Sequence, residues 1–266
     1  MNTVQVNPKD AMTLRQRTGL GIMDCKEALA HNGSDMAKAE AWLREKLKGK
    51  MDTRTDRPAG QGCVAVCIES GRASIIEVRA ETDFTAKNDQ FREMSTQLAK
   101  SACEQSGEVK PTAPMTAAID ELRIKTGENI SFGRGVCLHG GNFAKYVHHD
   151  GRLGVLLQFE GELPADLATG ICQHVAAVVP TPLSVDESGV PADTLAQKRA
   201  DAQAEAKASG KPEQIAAKMA EGKLRKFLEE VTLLGQPYVR DDKKSVKQLL
   251  PAGVRILKFV RMTVGG

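Results

Sequence analysis

The chain has 266 residues, 27% of them charged and 4% aromatic, with a formal net charge of +3. Near-balanced charge and few stacking platforms argue, on composition, against a nucleic-acid binder. No apolar run approaches the roughly 18–20 residues of a membrane span, and the length suggests two or three folding units rather than one core.

The first residues, Met1 to Pro8, have neither a charged n-region nor an apolar h-region, so no secretory signal is expected. The six cysteines (Cys25, Cys63, Cys67, Cys103, Cys137 and Cys172) are scattered and form no C-x-x-C. They read as reduced, buried thiols of a cytoplasmic protein.

Asn7-Pro8 reads as a cap and first-turn proline for a helix carrying Met12 and Leu14, which Thr18-Gly19-Leu20-Gly21 breaks. Asp24-Cys25-Lys26-Glu27 has capping-box spacing, and His31-Asn32-Gly33 ends the second helix. Ser34 is expected to cap a third helix with Met36, Ala39, Leu43 and Leu47 at helical spacing. The loop Gly19 to Met23 is a candidate contact, although Ile22 and Met23 could equally staple the bundle. Residues 48–61 read as a linker.

Two strands are expected at Cys63–Ile68 and Ser74–Ala80, then the stretch Glu81-Thr82-Asp83-Phe84-Thr85-Ala86-Lys87-Asn88. An aromatic beside a carboxylate is unusual at a strand-to-helix junction, where Gly, Pro, Asn or Ser normally serve. Phe84 either folds back into the core, as most single Phe residues do, or is held out for a partner. Asn88 caps a helix running to about Ser106, and Gly127 closes a further short helix. Ile130 to Leu138 reads as extended.

After Gly140-Gly141 the order strand, strand, helix recurs: Phe143–His149, Arg152–Phe159, and a helix started by Pro164. The two halves read as structural pseudo-repeats. Residues from Pro191 to about Glu230 are rich in Ala, Lys, Glu and Gln and split at Ser209-Gly210-Lys211-Pro212, which reads as a helical hairpin. Strand-like Val231–Leu234, a Gly235-Gln236-Pro237 turn, a Ser245-capped helix and a last strand Val254–Val264 complete the second half.

Motifs for catalysis are missing. The sequence has no G-x-x-x-x-G-K-[ST], no G-x-S-x-G and no H-E-x-x-H, and neither Gly19-x-Gly21 nor Gly133-x-Gly135 has the third glycine of a dinucleotide loop. His148-His149 has no Cys or carboxylate at ligand spacing. Asp241-Asp242-Lys243-Lys244 reads as a charged turn. These absences move weight towards a protein that acts by binding, with no catalytic residue, metal or cofactor assigned. Two rivals remain: a structural or nucleic-acid-associated scaffold using the hairpin, whose interleaved Glu205, Glu213, Glu221 and Glu229 disfavour a phosphate-binding face, and a metal enzyme using His148-His149.

Leu14 through Leu29 and Glu81 through Asn88 resemble the two signatures of the translation elongation factor Ts family. Tyr146-Val147-His148, Gly151 to Leu156, His174-Val175-Ala176-Ala177 and Gly235-Gln236-Pro237-Tyr238 are similar to further family segments, in order, over about residues 8–264.

The resemblance implies an α+β fold with a small ubiquitin-associated-like three-helix domain (1–54), a two-part α+β core (55–139, then 140–183 and 229–266) and an inserted coiled-coil hairpin arm (184–228). It implies a guanine-nucleotide exchange factor that binds elongation factor Tu, both GDP-bound and nucleotide-free, and is not an enzyme. Thr82, Asp83, Phe84 and Thr85 would dislocate the Mg2+ of Tu. Arg15, Ile22, Met23 and His148 would face that partner, with no nucleic acid or membrane involved, and the hairpin could self-associate or dock on Tu. Arg79-Ala80 stands where the family usually has Asn-Cys, and Thr85 where it usually has Val. The sequence ends soon after the last strand, without the C-terminal helical module of some members.

Overall fold

A computed structural model describes residues 6–266; Met1–Gln5, which carry most of the signal-peptide reading, lie outside the described residues. The described residues open with three helices, α1 (Pro8–Thr18), α2 (Ile22–His31) and α3 (Met36–Asp52). The Asn7 side chain accepts the Lys9 N–H at 2.9 Å, and Gly19, at φ 71°, ends α1 in the left-handed conformation that glycine adopts without penalty. Ala11, Leu14, Cys25, Ala28, Leu29, Ala39 and Leu43 form the bundle core.

Four local expectations shift here. Met12 points to solvent, because Ala11 and Leu14 take the inner stripe. The second helix begins at Ile22 with extended Gly21 as its cap, so Asp24 is not the cap but a first-turn carboxylate facing the helix dipole. The third helix is capped by Asp35, whose carboxylate accepts the Ala37 and Lys38 N–H groups at 3.1 and 3.0 Å, while Ser34 turns to φ 64°. α3 continues to Asp52, into the expected linker: Met51 is buried, and Arg123 Nη2 donates to its carbonyl at 2.9 Å.

Next come β1 (Gln61–Glu69), β2 (Arg72–Ala80), α4 (Asp83–Lys87), α5 (Asp89–Ala102), β3 (Gly107–Glu108), α6 (Ala113–Thr126) and β4 (Ser131–His139). They make an antiparallel sheet in the order β1-β2-β4-β3. α5 stops at Ala102 rather than near Ser106, because Gly107-Glu108 pairs with β4 as a short strand. Phe91, Leu98, Ala99 and Ala102 pack α5 against Ile76, Val78 and Ile130.

β5 (Asn142–Val147), β6 (Leu153–Glu160) and α7 (Ala165–Ala177) follow, then α8 (Ala192–Ala208), α9 (Glu213–Val231), β7 (Pro237–Tyr238), β8 (Asp241–Ser245), α10 (Val246–Leu249) and β9 (Arg255–Thr263). The second sheet has the order β5-β6-β9. Each half is therefore a hairpin, a helix, and a late strand added beside the hairpin's second strand. The pseudo-repeat expected from strand, strand, helix extends to a third strand. Val231 ends α9 rather than starting a strand; Thr232 bridges to Ser184, and Asp241–Ser245 pairs as β8 instead of turning.

The two sheets face each other through Val64, Val66, Ala73, Ile75, Leu138, Leu156 and Met262, with α5 and α7 on their outer faces. Both faces of β2 and β6 are thus buried, which gives these strands almost continuous burial instead of strict alternation. At Gly154 the sheets approach so closely that a Cβ would lie 2.5 Å from Val64 Cγ1.

α8 and α9 form an antiparallel helical pair around buried Ala202, Ala206 and Ala216. Its polar faces carry Lys223–Glu205, Arg225–Glu229 and Lys226–Glu230 ion pairs, and Lys198 Nζ lies 5.6 Å from the Phe227 ring centre. No helix among the described residues is long and apolar enough to cross a membrane.

Candidate functional site

β2 leaves the sheet at Ala80, which is fully buried and anchors the exit. The chain then turns straight into the single helical turn α4. Thr82 is the N-cap: its Oγ1 accepts the Thr85 N–H at 3.3 Å. Asn88 ends α4 and caps α5, its side chain accepting the Gln90 N–H at 2.8 Å. Two caps six residues apart hold a helix too short to persist alone.

This geometry sorts the four residues singled out in the sequence. Thr85 is buried beside Ala86, which belongs to the first core cluster, and the Thr82 hydroxyl is engaged in hydrogen bonds. Asp83 and Phe84 point the other way. Phe84 is 84% exposed, so it does not fold back into the core. Asp83 accepts from Lys87 Nζ at 2.7 Å, and that hydrogen bond and charge hold its carboxyl below the usual carboxylate range. An aromatic ring next to an ionised carboxylate, on a capped turn rooted in the core, suits insertion into another protein.

The fold brings one other candidate, His148, towards the same edge. The start of β1 pairs with the end of β2, Gln61 opposite Ala80. The β5–β6 turn docks on that start: Val64 N–H donates to the Gly151 carbonyl at 2.8 Å, and Arg152 bonds Gln61. His148 sits on this turn, half-buried, its Nδ1 2.7 Å from Tyr146 Oη and its ring tilted against His149 at 4.3 Å. No group of three or more His, Cys, Asp or Glu among the described residues is arranged to hold a metal ion.

Arg15, Ile22 and Met23 belong to the bundle, which contacts α6 through Ile124 and the Lys48–Asp120 pair at 3.2 Å. Arg15 is exposed and Met23 is 71% exposed, whereas Ile22 packs on the bundle core. The Gly19–Met23 loop is therefore shorter than expected, and of its two large side chains at the end only Met23 is free at the surface.

The family profile described as Elongation factor TS matches residues 81–266, and that described as Elongation factor Ts, mitochondrial, N-terminal matches residues 2–50. The chain belongs to the elongation factor Ts family. It is 39% identical to the Elongation factor Ts of Methylococcus capsulatus over 95% of this chain and 89% of that relative. It is 38% identical to that of Psychrobacter cryohalolentis over 100% and 92%, and to that of Burkholderia multivorans over 95% and 88%.

In this Ts-family chain the residues that sequence reasoning passed over are those behind the turn. Glu128 and Asn129 follow the Gly127 cap of α6, and Glu128 accepts both the Thr82 hydroxyl and the Thr82 N–H. Their only sequence signal was position, directly after a helix stop. The unusual Arg79 also has a partner here: its Nε donates at 2.8 Å to Glu77, a fully buried carboxylate shared with Arg134 Nε at 2.9 Å and the Gly265 N–H at 2.8 Å. All six cysteines are free thiols, and burial pushes Cys67 and Cys137 up to about 11 and Cys172 to about 12. Such thiols are poor nucleophiles at neutral pH.

Proposed function

We propose that this elongation factor is a guanine-nucleotide exchange factor for elongation factor Tu, acting by binding rather than by catalysis. It binds Tu·GDP, dislocates the Mg2+ of Tu and promotes GDP release so that GTP can bind. The observation that carries the reading is the exposed Phe84 beside Asp83 on a doubly capped turn. A solvent-facing Phe held on such a turn has no role in this chain's own core.

The mechanism is linkage. The factor and GDP weaken each other's hold on Tu through one reciprocal coupling free energy. Burying a Phe in a partner pocket gives about 1.5–3 kcal/mol, which offsets distortion of the nucleotide site. Loss of Mg2+ removes a large local positive charge that holds the β-phosphate. Phe84 is the wedge and Asp83 repositions the metal region. Thr82 and Thr85 act from behind, as the cap and the buried foot of the turn. Arg15 and Met23 contact Tu from the bundle and His148 from the β5–β6 turn, while Ile22 packs on the bundle core behind them.

The same reading makes the N-terminal bundle a ubiquitin-associated-like domain that meets the nucleotide domain of Tu, and the α8–α9 pair a coiled-coil arm inserted in a two-part core. Its setting is the cytoplasm. The test is release of labelled GDP from Tu: addition of the purified chain should accelerate it at substoichiometric concentration. No acceleration by a folded chain that still binds Tu would refute the exchange role.

A further inference from the structure

Phe84 has its place only through the backbone of the turn beneath it, so whatever fixes that backbone fixes the ring. One carboxylate bonds the first residue of the turn twice. Glu128 Oε1 accepts the Thr82 hydroxyl at 2.6 Å, and Glu128 Oε2 accepts the Thr82 N–H at 3.2 Å. Because the hydroxyl gives its one proton to Glu128, its lone pairs are left to receive the Thr85 N–H and cap α4. The grip is reciprocal: Glu81 Oε1 accepts the Asn129 N–H at 2.6 Å. Glu81-Thr82 and Glu128-Asn129 are thus crossed by two carboxylates, each making charge-assisted bonds.

The same short segment also holds the connection from the helical bundle. The buried Asn129 amide donates to the Thr55 and Arg57 carbonyls at 3.0 and 2.8 Å, and Arg54 Nη1 donates to the Gly127 carbonyl at 2.8 Å. Residues 127–129 therefore link the bundle side of the molecule to the Phe84 turn.

We propose that Glu128 is a positioning residue for exchange, its carboxylate setting where Phe84 stands relative to the bundle and the core. The proposal rests on the exchange reading above. A carboxylate is required because one planar group must accept from an N–H and an O–H of the same residue. Glutamine offers a single acceptor oxygen and breaks one arm. Alanine breaks both and frees the Thr82 hydroxyl to turn away.

The test measures GDP release from Tu over a range of factor concentrations, with each variant's melting temperature recorded. Glu128→Ala should lower the maximal rate about tenfold, the scale of one charge-assisted hydrogen bond, and raise the half-saturating concentration by less than about threefold. In a Phe84→Ala background the same change should slow exchange no further, since the carboxylate acts through that ring. Thr82→Val and Glu128→Gln should repeat the pattern, and they carry the test if Glu128→Ala does not fold. A folded Glu128 variant with the wild-type maximal rate, or one whose slowing adds in full to that of Phe84→Ala, overturns the proposal. A wild-type rate in Phe84→Ala alone overturns the wedge role of Phe84 and the positioning role with it, whereas the exchange reading itself falls only if the wild-type chain fails to accelerate GDP release.

Discussion

Replacing Phe84 with alanine separates a side chain used for folding from one used on a partner. The ring is 84% exposed in the free chain, so truncation removes almost no buried surface. Its cost to stability should stay within about 0.5 kcal/mol, the range for surface substitutions, and the melting temperature should be nearly unchanged. The exposed ring retains nearly all of its transfer free energy for a pocket on Tu. At about 1.5–3 kcal/mol for full burial, its loss should slow GDP release by roughly 10- to 100-fold. Stopped-flow release of a fluorescent GDP analogue from Tu, at fixed Tu and saturating factor, reads this directly. Leu98→Ala serves as the contrast, because Leu98 is buried in the first core cluster: it should lower stability by about 2–5 kcal/mol and affect exchange only as far as the fold is lost. A Phe84→Ala variant with full stability and the wild-type release rate would refute the wedge argument. A large loss of stability would refute the view that the ring is free of the core.

The remaining predictions concern the scaffold and the ion pair on the Phe84 turn. His174 is buried, with Nδ1 accepting the Val239 N–H at 3.1 Å and Nε2 3.1 Å from Gln236 Oε1, a pattern that requires the neutral ring. Burial holds its pKa below the ordinary 6.5, so as pH falls the unfolded chain takes up this proton first. The contribution is intact above about pH 6.5 and is lost progressively below it; urea midpoints of wild type should fall more steeply from pH 7.5 to 5 than those of His174→Gln. Lys87→Ala should bring the Asp83 pKa back up towards 3.8, followed by NMR titration of its side-chain carbonyl. Glu77→Ala should destabilise the fold by about 1–3 kcal/mol in urea melts, less than a fully buried pair because Arg79 and Arg134 remain 37% and 44% exposed.

Much of the fold was legible because local chemistry and tertiary packing agree. Asn7, Gly19, Asn88, Gly127 and Ser245 end or start elements where their side chains or dihedrals require it. Legibility failed where a neighbour in space intervened. The linker reading of residues 48–61 missed that Arg123 and Asn129 hold this stretch to the core. The capping-box reading at Asp24 missed that Gly21 alone suffices to start α2. In β6 burial is nearly continuous because a second sheet covers its other face, and nothing in the strand itself marks that cover.

The candidate site divides in the same way. The sequence alone singled out the candidate stretch: a carboxylate beside an aromatic at a strand-to-helix junction, in a chain without a phosphate loop, is information carried by residues next to one another. Only the tertiary structure decided which side chains face out. Thr85 is buried and Phe84 exposed because one helical turn, rooted at Ala80 and Ala86, has one inner and one outer side. Glu128 and Asn129 lie more than forty residues away along the chain. Their hold on the turn arises from pairing β4, which follows them directly, against β2, and no local pattern encodes a hydrogen bond between segments that meet only in space.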